Sequence, residues 1–186
     1  MAVATERMGE RARPAITDAC LTDSAFARYL QALDQLVDIY DDELPQRVAR
    51  ELGKLVVWGD WLPEHCCEPG DDCYRRHLLY ADPAGRFTVL AVVWRPGQGT
   101  PVHGHTAWGA VGVYQGQPSV TSYRYIQGQS PVATGEHHCC PGEVCHVTPG
   151  VAEPHRVFNA SDDLAITIHT YGRDLTVDPS AINILI

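Results

Sequence analysis

From about residue 74 onward the chain divides into short runs of strand-forming residues, and this texture constrains the fold more than any other feature. FTVLAVVW (87–94), GAVGVYQG (109–116), SVTSYRY (119–125), GEVCHVTPG (142–150) and LAITIHTYG (164–172) are separated by glycine, proline, asparagine and aspartate turns. Many short strands at this spacing are the signature of an antiparallel barrel or sandwich. Upstream, DSAFARYLQALDQLVDIYDD sets Phe26, Tyr29, Leu30, Leu33, Leu36, Val37 and Tyr40 at helical spacing, with Ser24 or Thr22 as the cap. LPQRVARELGKLVVW predicts a second helix, with Pro45 in its first turn and Val48, Leu52, Leu55 and Val56 as its buried stripe. The expectation is a mainly β barrel over about 74–175, preceded by α-helices over about 24–58. No repeat, linker or low-complexity segment marks a second unit, so 21–186 reads as one domain behind a flexible tail, 1–20.

At 186 residues, 45% hydrophobic and 20% charged, the chain has the composition of a globular protein with a real core. Its net charge of −9 argues against nucleic acid or an anionic membrane as partner, because either needs a basic patch. No run approaches the ~20 apolar residues of a membrane-crossing helix. The N-terminal MAVATERMGERARPAITDAC lacks the apolar stretch of a secretion signal. The expected location is therefore the cytoplasm, with the seven cysteines as reduced thiols and no obligatory protein partner. The stretch EHHCCPGEVCH gathers His137, His138, Cys139, Cys140, Cys145 and His146, but its spacing fits no zinc template. It reads as a Pro-Gly turn carrying incidental polar residues.

Within GQGTPVHGHTAWGAVGVYQG, His103 and His105 are separated by one glycine. On a strand such residues point to the same face, ~6–7 Å apart along the backbone, so their imidazoles can converge on one ion. A third donor must come from another strand, and His155 in EPHRVFN is the best placed. His65 and His77, upstream in or near the helical region, have no such context.

The pattern G-x5-H-x-H with a downstream glycine, formed by Gly97, His103, His105 and Gly116, looks like the first cupin motif. Gly142, the Pro149-Gly150 turn and the H-x-x-x-N of His155 and Asn159 resemble the second, in part. Cupins commonly carry a glutamate ligand after the histidine pair, where this chain has Gly109. That departure leaves three uncharged imidazoles, and an ion held by them keeps its full charge and favours an incoming anion. A thiolate suits such a centre, since binding lowers a thiol's pKa well below its free value of ~8.5.

The resemblance sharpens to the cysteine dioxygenase (thiol dioxygenase) family of the cupin superfamily, over roughly 74–172. YRRHLLYADPAGRFTVLAVVWRPGQGTPVHGH is similar to its opening strands, with Tyr74 and Arg76 at the Y-x-R element, and TIHTYG is similar to its Ser-His-Tyr relay, with Thr167 in place of serine. The relay also follows from strand alternation, because Thr167, His169 and Tyr171 share one face while Ile166 and Ile168 take the other. A polar row inside a barrel must be hydrogen-bonded, which a Thr-His-Tyr chain achieves. The competing reading is an outer strand face whose polar row meets water.

The resemblance implies a double-stranded β-helix (jelly-roll) barrel, Fe(II) held by His103, His105 and His155, and a small thiol and O2 as the reacting partners. It implies a substrate carboxylate gripped by Arg76 beside Tyr74, with Tyr171, His169 and Thr167 as the catalytic row. L-cysteine, giving cysteine sulfinic acid, is the expected substrate, since cysteine-oxidising members carry that arginine. The 3-mercaptopropionate enzymes use an arginine nine residues past the tyrosine, where this chain has Ser180; Arg173, closer to Tyr171, is the one candidate substitute but reads as surface. HTAWG and YADPAGRF look more like that second branch, which keeps 3-mercaptopropionate as the alternative. A non-catalytic metal-binding cupin and a zinc hydrolase or lyase are the remaining readings. The thioether that some animal members form on the relay tyrosine is not expected, because the corresponding region is Gly109-Ala110.

Overall fold

The computed structural model describes residues 24–39 and 41–186. The expected tail over 1–20, the alternative cap Thr22 and Tyr40 at the end of the helical stripe lie outside the described residues. Helix α1 (Ala25–Leu36) is capped by Ser24, whose hydroxyl accepts from the Ala27 N–H at 3.1 Å. Helix α2 (Leu44–Val56) carries Pro45 in its first turn and buries Val48, Leu52, Leu55 and Val56. Neither helix is long and apolar enough to cross a membrane.

After a 3-10 turn at Glu64–Cys67 come ten strands. These are β1 (Arg75–Ala81), β2 (Thr88–Trp94), β3 (His103–His105), β4 (Gly109–Gln115), β5 (Ser119–Arg124), β6 (Val132–His138), β7 (Val144–Val147), β8 (Gly150–Phe158), β9 (Ala165–Tyr171) and β10 (Asn183–Leu185). Their pairing explains the architecture. Strand β2 pairs with β9, β3 with β8, β4 with β7 and β5 with β6, all antiparallel. The chain thus forms one long hairpin, β2 to β5 running out and β6 to β9 returning. Its coiled legs give two five-stranded sheets, β1-β2-β9-β4-β7 and β10-β3-β8-β5-β6. This is the jelly roll, or double-stranded β-helix, of the cupin type.

The first sheet is covered on both faces, which is why β2 and β9 are buried at every position. Val89, Ala91, Val93, Ile166 and Ile168 pack in one core with Leu33, Val48 and Leu52 of the helices. Burying one such aliphatic side chain is worth about 1.5–3 kcal/mol. Gly112 lets α2 lie close on β4, since a Cβ there would stand 2.9 Å from Val56 Cγ1. Thr170, also on the helix side, is satisfied by the Tyr29 hydroxyl at 2.6 Å. The other face of β2 and β9 looks into the barrel.

Four expectations change. His77 lies on β1, not in the helical region, and its Nε2–H donates to the Glu68 carbonyl at 2.8 Å. Gly150, read as part of a Pro149-Gly150 turn, already opens β8. The barrel runs past residue 175, because β10 closes the edge beside β3. β6 was not foreseen as a strand. Both omitted strands lack the alternation that marks a half-buried strand: β6 is exposed throughout, and β10 is three residues long.

Candidate metal centre

Antiparallel pairing puts His103 of β3 directly opposite His155 of β8, and the alternation of β3 brings His105 to the same face. The three rings stand 4.9, 4.7 and 5.0 Å apart between centroids, and one nitrogen from each lies within 4.8 Å of the others. The surroundings set the tautomers. His103 Nδ1 faces the Pro101 carbonyl at 3.0 Å and His155 Nδ1 faces the Glu153 carbonyl at 3.2 Å. A carbonyl only accepts, so both Nδ1 atoms carry the proton and both Nε2 atoms present bare lone pairs. The Nε2 atoms of His105 and His155 are 3.2 Å apart, while His105 Nδ1 is buried with no hydrogen-bond partner among the described residues. A proton or a cation must sit among these converging nitrogens, and a metal ion fits the donor set.

Electrostatics favour uncharged donors. Burial, reinforced by the neighbouring imidazoles and Arg76, pushes His105 down to about 2 and His103 to about 4; burial also lowers His155. All three keep their lone pairs at neutral pH.

The polar row on β9 lies inside the barrel, and the outer-face alternative is excluded: Thr167, His169 and Tyr171 are all buried. Trp94 Nε1 donates to Thr167 Oγ1 at 2.9 Å, Thr167 Oγ1 meets His169 Nε2 at 2.7 Å, and His169 Nδ1 meets the Tyr171 hydroxyl at 2.9 Å. His169, pushed down to about 3 by burial and by Arg76, is neutral and passes one hydrogen along the chain in either direction. The Tyr171 ring stands 5.6 Å from that of His105. Gly109 gives this ring its place, because a Cβ there would lie 2.7 Å from Tyr171 Cδ1. The position that holds no glutamate is therefore occupied by the tyrosine.

Arg76 of β1 and the adjoining Tyr74 complete the wall of a void of about 30 Å³ shared with the triad, His169 and Tyr171. The Arg76 guanidinium donates to the Pro179 carbonyl at 2.7 Å and lies 5.7 Å from the Tyr74 ring, which packs on Trp94. Arg173 is exposed and bonds Thr106 Oγ1 at 3.3 Å, as its surface reading expects. Asn159, the end of the H-x-x-x-N motif, is buried and donates to the Trp94 and Asp163 carbonyls. It anchors the strand ends instead of facing the triad. A second cavity, about 490 Å³, opens between β6 and β7 and shares Val111, Val157, His155 and His169 with the small void.

Two residues escaped the sequence reading. Trp94 anchors the relay; its position on the inward face of β2 was legible, its register against Thr167 was not. Glu143 stands 2.7 Å from His137 and within 4.8 Å of the donor atoms of His137 and Cys139. The segment read as a turn is a turn, and it also gathers three metal-ligand types.

No family model matches the chain. Among solved structures it is similar to a sugar phosphate isomerase of the cupin superfamily from Silicibacter pomeroyi, at 24% identity and a TM-score of 0.40 over 47% of this chain and 51% of that one. The chain thus spans about half the length of that isomerase. A protein with a double-stranded β-helix domain from Klebsiella pneumoniae gives 17% identity and 0.47, over 60% of this chain and 81% of the other. Oxalate decarboxylase of Bacillus subtilis, a protein with Mn(II) centres, gives 18% and 0.43, over 57% and 28%. Strand order and donor geometry define a cupin-type barrel with a three-histidine cluster able to hold a metal ion.

Proposed function

We propose that the protein is a non-haem Fe(II) thiol dioxygenase acting on a small thiol carboxylate, L-cysteine first, in the cytoplasm. The observation that carries this reading is the meeting, around one small void, of three uncharged imidazoles, the Arg76 guanidinium and the Tyr171 phenol. Fe(II), held by His103, His105 and His155, would supply the chemistry that joins O2 to a thiolate sulfur. The overall change is balanced without a reductant: a thiol and O2 give a sulfinic acid containing both oxygen atoms.

The chain's own residues bind and orient. Arg76 grips the carboxylate in a charge-assisted pair and so fixes where the sulfur lies. Tyr171 hydrogen-bonds the reacting oxygen or sulfur atoms, its hydroxyl held by His169 and Thr167. Val92, Trp94 and Val157 keep the surroundings dry, which strengthens both contacts.

The test is O2 uptake by the Fe(II)-loaded full chain with L-cysteine, 3-mercaptopropionate and cysteamine, with the sulfinate identified by its mass. Arg76→Gln is expected to lower kcat/KM for the two carboxylates about 10- to 100-fold while leaving cysteamine, which has none, nearly unchanged. Equal losses on all three would remove Arg76 from the role of clamp. Absence of thiol-dependent uptake would favour a non-catalytic metal-binding cupin. One observation supports 3-mercaptopropionate as a second reading: among the described residues no carboxylate lines the small void to form an ion pair with the ammonium group of cysteine.

A further inference from the structure

We propose that His137, Cys139 and Glu143 form a second cation site, for a zinc-class divalent ion, that ties the two sheets together at the mouth of the large cavity. The donor atoms of these residues lie within 4.8 Å of one another, and all three side chains line that cavity. They come from different parts of the barrel edge. His137 lies next to the end of β6 of one sheet, and Glu143 precedes β7 of the other.

The segment between them is anchored. The Cys139 N–H donates to the Pro118 carbonyl at 2.8 Å, the Gly142 N–H to Val113 at 2.8 Å, and the Val113 N–H to Glu143 at 2.9 Å. A further bond from the Glu143 N–H to the Cys140 carbonyl, 3.0 Å, closes the turn, and Gly142 takes the φ of 90° that it requires. The donors are therefore presented on a fixed frame, not on a loose loop.

The donor chemistry is that of zinc, not of the buried triad. Imidazole, thiolate and carboxylate are the three ligand types of tetrahedral zinc, and the two anions neutralise a divalent charge. Cys145 lines the same cavity. Without an ion, His137 Nε2 meets Glu143 Oε2 at 2.7 Å and holds that carboxyl below its usual range. Burial, with Cys145 and Glu143 nearby, pushes the Cys139 thiol up to about 11, so ion binding releases a proton. The site stands on its own residues and is independent of the activity proposed for the triad.

Co(II) titration of the chelator-treated full chain tests it, because Co(II) bound by sulfur gives a near-ultraviolet thiolate-to-metal charge-transfer band and the triad contains no sulfur. One equivalent of Co(II) is expected to produce the band, Zn(II) to abolish it, and Cys139→Ser to eliminate it. Glu143→Gln, at an exposed position that leaves folding undisturbed, is expected to weaken Co(II) binding about 10-fold or more. No band in the unsubstituted chain, or a band that persists in Cys139→Ser, overturns the site.

Discussion

The two donor clusters meet one large cavity, the first through His155 and the second through His137, Cys139 and Glu143, yet they differ in burial and in charge. In one, three uncharged imidazoles, two buried and His155 half-buried, stand beside a guanidinium. In the other, an exposed imidazole on β6 gathers with the covered Cys139 thiol and the exposed Glu143 carboxylate of the turn that follows. An ion held by the first cluster would retain its whole charge and attract an anion; one held by the second would be neutralised by its own ligands. The same barrel thus separates a centre suited to chemistry from one suited to holding structure.

The difference is tested first at the histidine triad. His155→Ala removes one of three donors and should cost about 10³-fold in thiol-dependent O2 uptake, with iron content falling in parallel. Iron content that stays at the unsubstituted level would separate His155 from the centre. Next comes the brace itself: Ile168→Ala, between β9 and the helices, should lower unfolding free energy by about 3 kcal/mol in a urea titration. Tyr171→Phe should slow kcat about 100-fold with iron occupancy unchanged, which separates orientation from binding.

Acid should act through the same buried imidazoles. His103 and His169 titrate near 6.5 when unfolded but are held at about 4 and about 3 when folded. Between pH 6.5 and pH 4 the unfolded chain binds protons that the folded one refuses. Stability is therefore complete above pH 6.5 and falls with pH by about 1.4 kcal/mol per unit for each such group. Thermal melts of the metal-free protein should record that decline, and a Tm unchanged from pH 7 to about pH 5 would contradict it. The smallest effect belongs to the open edge: Val132→Ala on β6 is exposed and should shift stability by no more than about 0.5 kcal/mol.

Much of this is legible in the sequence alone. The periodicity of residues 44 to 56 marked the stripe of α2, because a helix buries one face whatever it meets. Alternation placed Thr167, His169 and Tyr171 on one face of β9 for the same local reason. β6 was not legible: its residues alternate nothing, and what makes it a strand is pairing with β5. Glu143 and Trp94 were missed because an acidic turn residue and an aromatic at a strand end have many ordinary uses. Only the register beside Val113 and Thr167 gives them their neighbours.

By itself, then, the sequence determined the helices, most strands and the faces on which histidines 103 and 105 and the relay lie, since those depend on the geometry of a few consecutive residues. Tertiary structure alone decided that His155 stands opposite His103, that the Tyr171 ring fills the space beside Gly109, and that Cys139 and Glu143 share a corner. Each of these is a matter of strand register and sheet closure, which couple residues across the coiled hairpin and leave no trace in local spacing.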